Sequence, residues 1–473
     1  MKLAHILAYM TLQAIVCIPL YSAGSKTDAS DQKSLEITVY NNNLALVKDV
    51  RNIRITSGIL DLKFMDVASS IRPETVHIKS IDHGDKLAIL EQNYEYDLMN
   101  TSKLLDKYIG KKIKLISYDN DSNPERTVDA KLLSNNDKPV YEINGEIHLG
   151  FPGYQILPEI PENLISRPTL VWLLDNDAGG MHMIEASYLT ADINWKADYV
   201  MVLGNDNKTA DFSGWVTINN KSGTAYNNAK LKLIAGDVHM APGNYSRMGN
   251  MAAEADMSVK RAGGFREEGF FEYHLYTLER PSTLKNNQQK QISLLNVQKV
   301  AVEKRFIAES GPGYFMSRYG AKKQKHDVSV YVIFKNSKDS NLGMALPKGT
   351  VRMYREDSGG SLQFIGEDLI EHTPEDEQVR LKAGNAFDIV CERTQTDFNK
   401  LYDNAYETSW EVILKNHKDE DITVSVHEQL NGDWEIIESS HEYEKVDAFS
   451  VKFDIKIRKK DKDILKYKVR VRY

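Results

Sequence analysis

Two stretches of the chain combine soft metal ligands: Met181-His182-Met183, and His239-Met240 followed by Met248, Met251 and Met257. Thioethers and imidazoles suit Cu(I), so an exported protein with a methionine-rich loop is a candidate for that ion. Methionine also fills irregular gaps in cores, and the same spacing fits packing with no metal. A second cluster, Glu272-Tyr273-His274 just beyond Glu267-Glu268, offers an acid and a base. Alternation gives it a plainer reading, a strand start with Phe271, Tyr273 and Leu275 on one face. Asp192, Asp198, Asp211 and Asp237 fall near strand ends, where two carboxylates in a cleft would suit glycoside hydrolysis. Separation across strands is not written in the sequence, so no pair is assigned from it.

Other chemistry finds little footing. The sequence has no G-x-S-x-G elbow, no H-E-x-x-H helix and no glycine loop that would cradle phosphate. His427-Glu428 and His441-Glu442 lack a second histidine at helical spacing and read as surface polar residues of strands or turns. No catalytic, cofactor-binding or metal residue is therefore assigned, and no cofactor is expected. Lys466, Lys468, Arg470 and Arg472 alternate with apolar residues, as do Lys452, Lys456 and Arg458. Such a ladder can meet an anionic polymer or lipid headgroups. Its plainer role is a solvated strand face with lysines guarding an edge.

The elements that must position these residues are strands. Ile193, Trp195, Ala197, Tyr199, Met201 and Leu203 alternate with Asn194, Lys196 and Asp198 and then with Val200 and Val202, a period of two that predicts a strand buried on both faces at its end. Ala210, Phe212, Gly214, Val216 and Ile218 give the next set, and Leu231 with Leu233 a third, separated by Asn- and Gly-rich turns. Near the N-terminus the apolar phase shifts between Leu46 and Ile53, which predicts a bulge or corner between Val47 and Arg51. Thr101 or Ser102 can cap a short helix near residues 102–109, and Asn144-Gly145 predicts a tight hairpin. Five alternating sets from Trp410 to Tyr473 predict an immunoglobulin-like sandwich. Residues 240–268 and 309–325 keep no period and read as loops, the first of them mobile.

Length, charge and the N-terminus bound the setting. At 473 residues the chain should hold two to four domains, and 41% hydrophobic with 27% charged residues is enough for packed cores. A net charge of -7 argues against nucleic acid as a partner. Lys2, an apolar run from Ile6 to Leu20, Pro19 and Ser22-Ala23-Gly24 predict a secretory signal peptide over residues 1–24, cut after Gly24 or after Ala23. The run is too short for a comfortable membrane span, and no transmembrane segment is expected in the mature chain. Ala14-Ile15-Val16 lacks the small residue that precedes a lipidated cysteine, so Cys17 is not read as a lipid anchor. Loss of residues 1–24 leaves Cys391 as the single cysteine and excludes an intramolecular disulfide. The N-x-S/T sequons at Asn100, Asn120, Asn207, Asn220 and Asn244 read as chance matches in an Asn-rich chain.

Several landmarks together resemble a known group. Ser187-Tyr188-Leu189-Thr190, Trp195-Lys196-Ala197-Asp198-Tyr199, Ser213-Gly214-Trp215-Val216 and the run from Ala229 to Val238 are similar to the bacterial domain of unknown function 4139. Phe271 to Tyr276, Leu346-Pro347-Lys348-Gly349, Val351 to Tyr354, Phe364 to Glu367 and Ala386 to Ile389 resemble its later landmarks. The likeness runs from about Ser187 to the C-terminus, and more weakly back to Leu35. It implies an exported, β-rich bacterial protein with no defined catalytic residues. Relatives resembling mucoidy inhibitors carry a coiled coil ahead of this domain, and this chain has no heptads to match it.

The expected architecture is all-β and multidomain, built of antiparallel sandwich or barrel-like modules with one or two short helices. Its expected parts are the signal peptide 1–24, a β-rich module 25–175, a central β domain 176–404 and a sandwich 405–473. The expected role is a non-catalytic binding or structural component of the cell envelope, periplasmic or extracellular, with envelope polysaccharide or another envelope protein as partner. The alternative is a glycan-directed hydrolase with an acidic inter-domain cleft.

Overall fold

A computed structural model describes residues 25–95, 100–118, 124–159, 167–236, 238–240, 259–260, 264–311, 315, 317–318 and 322–473. The expected signal peptide and most of the expected mobile loop lie outside them. The fold is all-β, with one α-helix, Thr101–Tyr108, and three short 3-10 turns among the described residues. Its sheets stay open rather than closing into barrels. Two compact units divide the chain, and neither follows sequence order. Of the described residues, the first takes those within 25–37, 46–192 and 221–229, and the second those within 38–45, 193–220 and 230–473.

In the first unit, Gly58–Met65 and Thr169–Asn176 pair antiparallel at the centre of a sheet flanked by Ser25–Thr27 and Leu87–Glu95. His77–Ser80 pairs antiparallel with Gly180–Ala191. A smaller module holds five short strands against the helix, with Leu105, Tyr108, Leu115, Leu132 and Tyr141 in its core. Asn100, rather than Thr101 or Ser102, caps that helix, its side chain accepting the Lys103 amide at 2.9 Å. Leu105 and Tyr108 are its buried residues. Asn144 and Gly145 adopt φ of 52° and 84°, the left-handed pair that joins Val140–Ile143 to Glu146–Leu149 in a two-residue hairpin. The strand Leu44–Ile55 is continuous, and the shift in phase is taken up by Asp49, Val50 and Arg51, three buried residues in a row. Arg51 is buried because Asp49 receives its guanidinium at 2.8 Å and the ring of Phe64 lies 3.6 Å beneath it.

The second unit contains a five-stranded sheet in the order Gln288–Ala301, Thr209–Asn220, Ile193–Leu203, Gly349–Glu356, Leu362–Ile370. One pairing in it is parallel, Ile193–Leu203 with Gly349–Glu356. The approach at its start is so close that a Cβ on Gly349 would sit 2.3 Å from the Ala197 carbonyl oxygen, and only glycine fits. The inward set Ile193, Trp195, Ala197, Tyr199, Met201 and Leu203 is buried as the alternation predicts. Tyr199 stacks on Phe212 at 5.3 Å and donates to the Pro347 carbonyl at 2.7 Å, while the Trp195 indole N–H reaches the Ile234 carbonyl at 3.1 Å. Val200 and Val202 are only half-buried, against the expectation of burial on both faces. Their side of the sheet is the open one.

The C-terminal strands form two further sheets. Ile389–Tyr402, Ala405–Asn416, Lys462–Arg472 and Asp433–Ser439 run in order in one of them, and Glu303–Glu309, Ile422–Gln429 and Ser450–Ile457 are adjacent in the other. Strands beyond Ala405 thus pair with strands from as far back as Glu303. Between the sheets lies a core of Trp410, Val412, Val424, Phe453, Leu465 and Val469, each contributing roughly 1.5–3 kcal/mol by burial for the aliphatic and Phe side chains.

Candidate functional site

The open face of the five-stranded sheet gathers the side chains that point away from the core. Register fixes three rows across it. Trp215, Asp198, Thr350 and Leu369 are successive partners in one row, Ser213, Val200, Arg352 and Glu367 in the next, and Asp211 and Val202 precede Tyr354 and Phe364 in the third. A bulge between Met353 and Tyr354 shifts the register by one residue, which returns Phe364 to this face rather than the core. Trp215 is 41% exposed, Phe364 56% and Leu369 71%, with Tyr354 half-buried. The rings of Tyr354 and Phe364 meet edge to face at 5.6 Å. Two strand spacings and four residues of rise separate Trp215 from Tyr354, roughly 16 Å.

Between the rings runs a strip of fixed charge. Asp198 accepts Thr217 Oγ1 at 2.8 Å, Arg352 Nη1 at 3.2 Å and Lys196 Nζ at 3.4 Å. Arg352 Nε lies 3.3 Å from Glu367. Burial pushes the Asp198 carboxyl up, but the Thr217 hydroxyl and the Arg352 and Lys196 cations outweigh it and hold the group below its ordinary value. It is therefore an anion at neutral pH. Ring faces suit the apolar C–H faces of a sugar, and the ion-paired strip offers charge-assisted donors and acceptors to hydroxyls.

The other sequence candidates scatter. Strand alternation separates Met181-His182-Met183: His182 is buried on one side of Gly180–Ala191, whereas Met181 and Met183 are 42% and 38% exposed on the other. His239 and Met240 are exposed residues of the second unit, and Met248, Met251 and Met257 lie outside the described residues. Instead, His182 falls beside Asp82 and His83, which sequence reading missed because a turn about a hundred residues upstream carries them. Burial raises the Asp82 carboxyl, but hydrogen bonds from the Ser80 hydroxyl and the Met183 amide, with His83 alongside, bring it down to about 2.

Glu272 does not serve His274. Phe271 adopts φ 56° in the turn before Tyr273–Leu278 and is exposed, and His274 Nδ1 instead meets Glu267 at 2.9 Å. Glu267 also accepts the Ala345 amide at 3.2 Å. Asp192 accepts the Ser70 hydroxyl at 2.6 Å and Asp211 the Lys299 amide at 3.0 Å, while Asp237 lies outside the described residues. His441 is a surface residue beside Ser440, as expected, but Glu428 is fully buried against Arg393. Four cations of the ladder are ion-paired: Lys468 and Arg470 hold Glu407 at 2.8 and 2.7 Å, Lys466 faces Glu411 at 3.2 Å, and Lys452 faces Glu444 at 2.8 Å. A cavity of about 300 Å³ in the second unit is lined by Leu295, Asn296, Val297, Gln298, Asn341, Leu342 and Met344, none of them titratable.

These features define an all-β protein whose most developed surface is an open, ring-bearing sheet face. The family model for a domain of unknown function, DUF4139, matches residues 184–473, more than half of the chain, so the chain belongs to that family. The open face lies wholly within the matched stretch, while Asp82, His83 and His182 precede it. No curated protein matches the chain. Among the described residues no helix is long and apolar enough to cross a membrane.

Proposed function

We propose that this protein is exported and acts as a non-catalytic binding component of the bacterial cell envelope, holding polysaccharide on the open sheet face. The observation that carries the reading is the grouping of Trp215, Tyr354 and Phe364 on one exposed face around the Asp198–Arg352–Glu367 strip. An extended face suits a long polymer, whose successive units can each meet a ring or a charged pair. The ion pairs of Lys466, Lys468 and Arg470 on the last strand argue that fixed positive charge is not the means of capture. Binding through rings and hydroxyls should accordingly change little with ionic strength. Export is supported by the charged start, apolar run and small residues of positions 1–24.

Two measurements test the reading together. N-terminal sequencing of protein recovered from cell fractions should find a chain beginning at Ser25 or Gly24 outside the cytoplasm. An array of bacterial envelope polysaccharides should then retain that mature protein, with binding that persists at high salt. An intact N-terminus in the cytoplasm, or no retention on any polysaccharide, defeats the proposal.

A further inference from the structure

We propose that Asp82, His83 and His182 form a binding site for a first-row divalent transition-metal cation of the zinc type, with two imidazoles and one carboxylate as ligands. Their ligand atoms all lie within 4.8 Å of one another. His182 is 1% exposed, and its Nε2–H donates to the Ala178 carbonyl at 2.6 Å. With the proton of the neutral ring held on Nε2 by that bond, Nδ1 keeps a lone pair, the arrangement a ligating histidine requires. Ser80 Oγ is 3.4 Å from this nitrogen, but its single proton goes to Asp82 at 2.9 Å. His83 Nδ1 is shielded from solvent and lies 3.1 Å from Asp82 Oδ1. A tetrahedron with bonds of 2.0–2.1 Å has edges of roughly 3.3–3.4 Å, so the His83–Asp82 pair already sits near one edge, and the His182 ligand atom, within 4.8 Å of both, would close on the ion.

The turn that carries two of the ligands is pinned in place. The Ile81 amide donates to the Met183 carbonyl at 2.8 Å, the Met183 amide returns to both Asp82 oxygens at 3.1 Å, and the His83 amide reaches Ser80 Oγ at 3.2 Å. The imidazole rings lie 4.6 Å apart between centroids. Two nitrogens and one oxygen suit Zn²⁺, Co²⁺, Ni²⁺ or Cu²⁺ better than Ca²⁺ or Mg²⁺, which take oxygen ligands. Cu(I) loses its case here, because Met181 and Met183 face away from the cluster. Three protein ligands leave one position for water or a further ligand. The site lies in the first unit and ahead of the DUF4139 match, so it stands or falls separately from the polysaccharide reading.

The test is calorimetric titration of Zn²⁺ into tag-free, metal-stripped full-length protein, with Co²⁺ absorption as a report of geometry. The expected result is one equivalent bound with a Kd tighter than about 10 µM, and Co²⁺ bands of tetrahedral intensity. His83→Ala and Asp82→Asn, both on the exposed turn, should each weaken binding at least about 100-fold. The Met181→Leu/Met183→Leu pair should leave it unchanged. Binding weaker than about 10 µM, binding untouched by His83→Ala, or binding abolished by the methionine pair would overturn the proposal. Circular dichroism of each variant separates ligand loss from unfolding.

Discussion

Replacing Glu428 by Gln should destabilise the C-terminal sandwich more than any surface change. Arg393 and Glu428 are both fully buried, Arg393 Nη1 lies 2.6 Å from Glu428 Oε2, and Nη2 donates to the Ala308 carbonyl at 3.3 Å. The strands that carry them belong to different sheets, so the pair bridges the sandwich. Arg393 Nε has no hydrogen-bond partner, so the guanidinium already relies on Glu428 for compensation. Gln keeps the shape and removes the charge, leaving an uncompensated cation in an apolar core at a cost of about 3–5 kcal/mol. Arg393→Met with Glu428→Leu removes both charges and should lie between neutral and about 4 kcal/mol more stable. The assay is thiol labelling across a urea titration in a Cys17→Ser background, because Cys391 is 0% exposed and sits two residues from Arg393 in the same core. Burial pushes the Cys391 thiol up, which keeps it silent until the sandwich opens. A Glu428→Gln loss below about 1 kcal/mol, or a double variant as weak as the single one, would refute the argument from uncompensated charge.

Two further outcomes follow from local geometry. In the metal-free protein, Asp82 should titrate at about 2 by carboxyl carbon NMR; since its folded value lies below the ordinary one, its stabilising effect is present above about pH 4 and disappears as pH falls through about 2. Titration at or above the ordinary 3.8 would remove the hydrogen-bond account of the turn. Gly349→Ala should cost about 1–3 kcal/mol in urea denaturation of the second unit, because its Cβ would meet the Ala197 oxygen at 2.3 Å. A change under about 0.5 kcal/mol would mean the parallel pairing relaxes freely.

Local signals in the sequence carried most of the strand assignment. The period of two placed Trp195, Tyr199 and Met201 inward, and the Asn144-Gly145 turn needed only its own φ preferences. Long-range pairing was not legible. Nothing near Lys196 foretells that Arg352 will lie 3.2 Å from Asp198, or that the partner strand will run parallel. Polar Asn194, Lys196 and Asp198 mark the open side of their strand, but Val200 and Val202 continue that side as hydrophobic residues and mask it. The Met-His-Met run held its own correction, since alternation in a strand must send His182 and its neighbouring methionines to opposite faces. Glu428 is buried where its strand alone implies a surface carboxylate, because the cation buried with it, Arg393, lies 35 residues away.

The central claim is tested most directly by the affinity of mature protein for the polysaccharide it retains best, compared with a variant carrying Trp215→Ala, Tyr354→Ala and Phe364→Ala. Each ring should contribute at least about tenfold in Kd, so the triple variant should lose detectable binding. A control with Lys466, Lys468 and Arg470 changed to Gln should bind as the parent does. If the triple variant keeps its fold, shown by an unchanged circular dichroism spectrum, and binds with undiminished affinity, the open sheet face is not the binding surface.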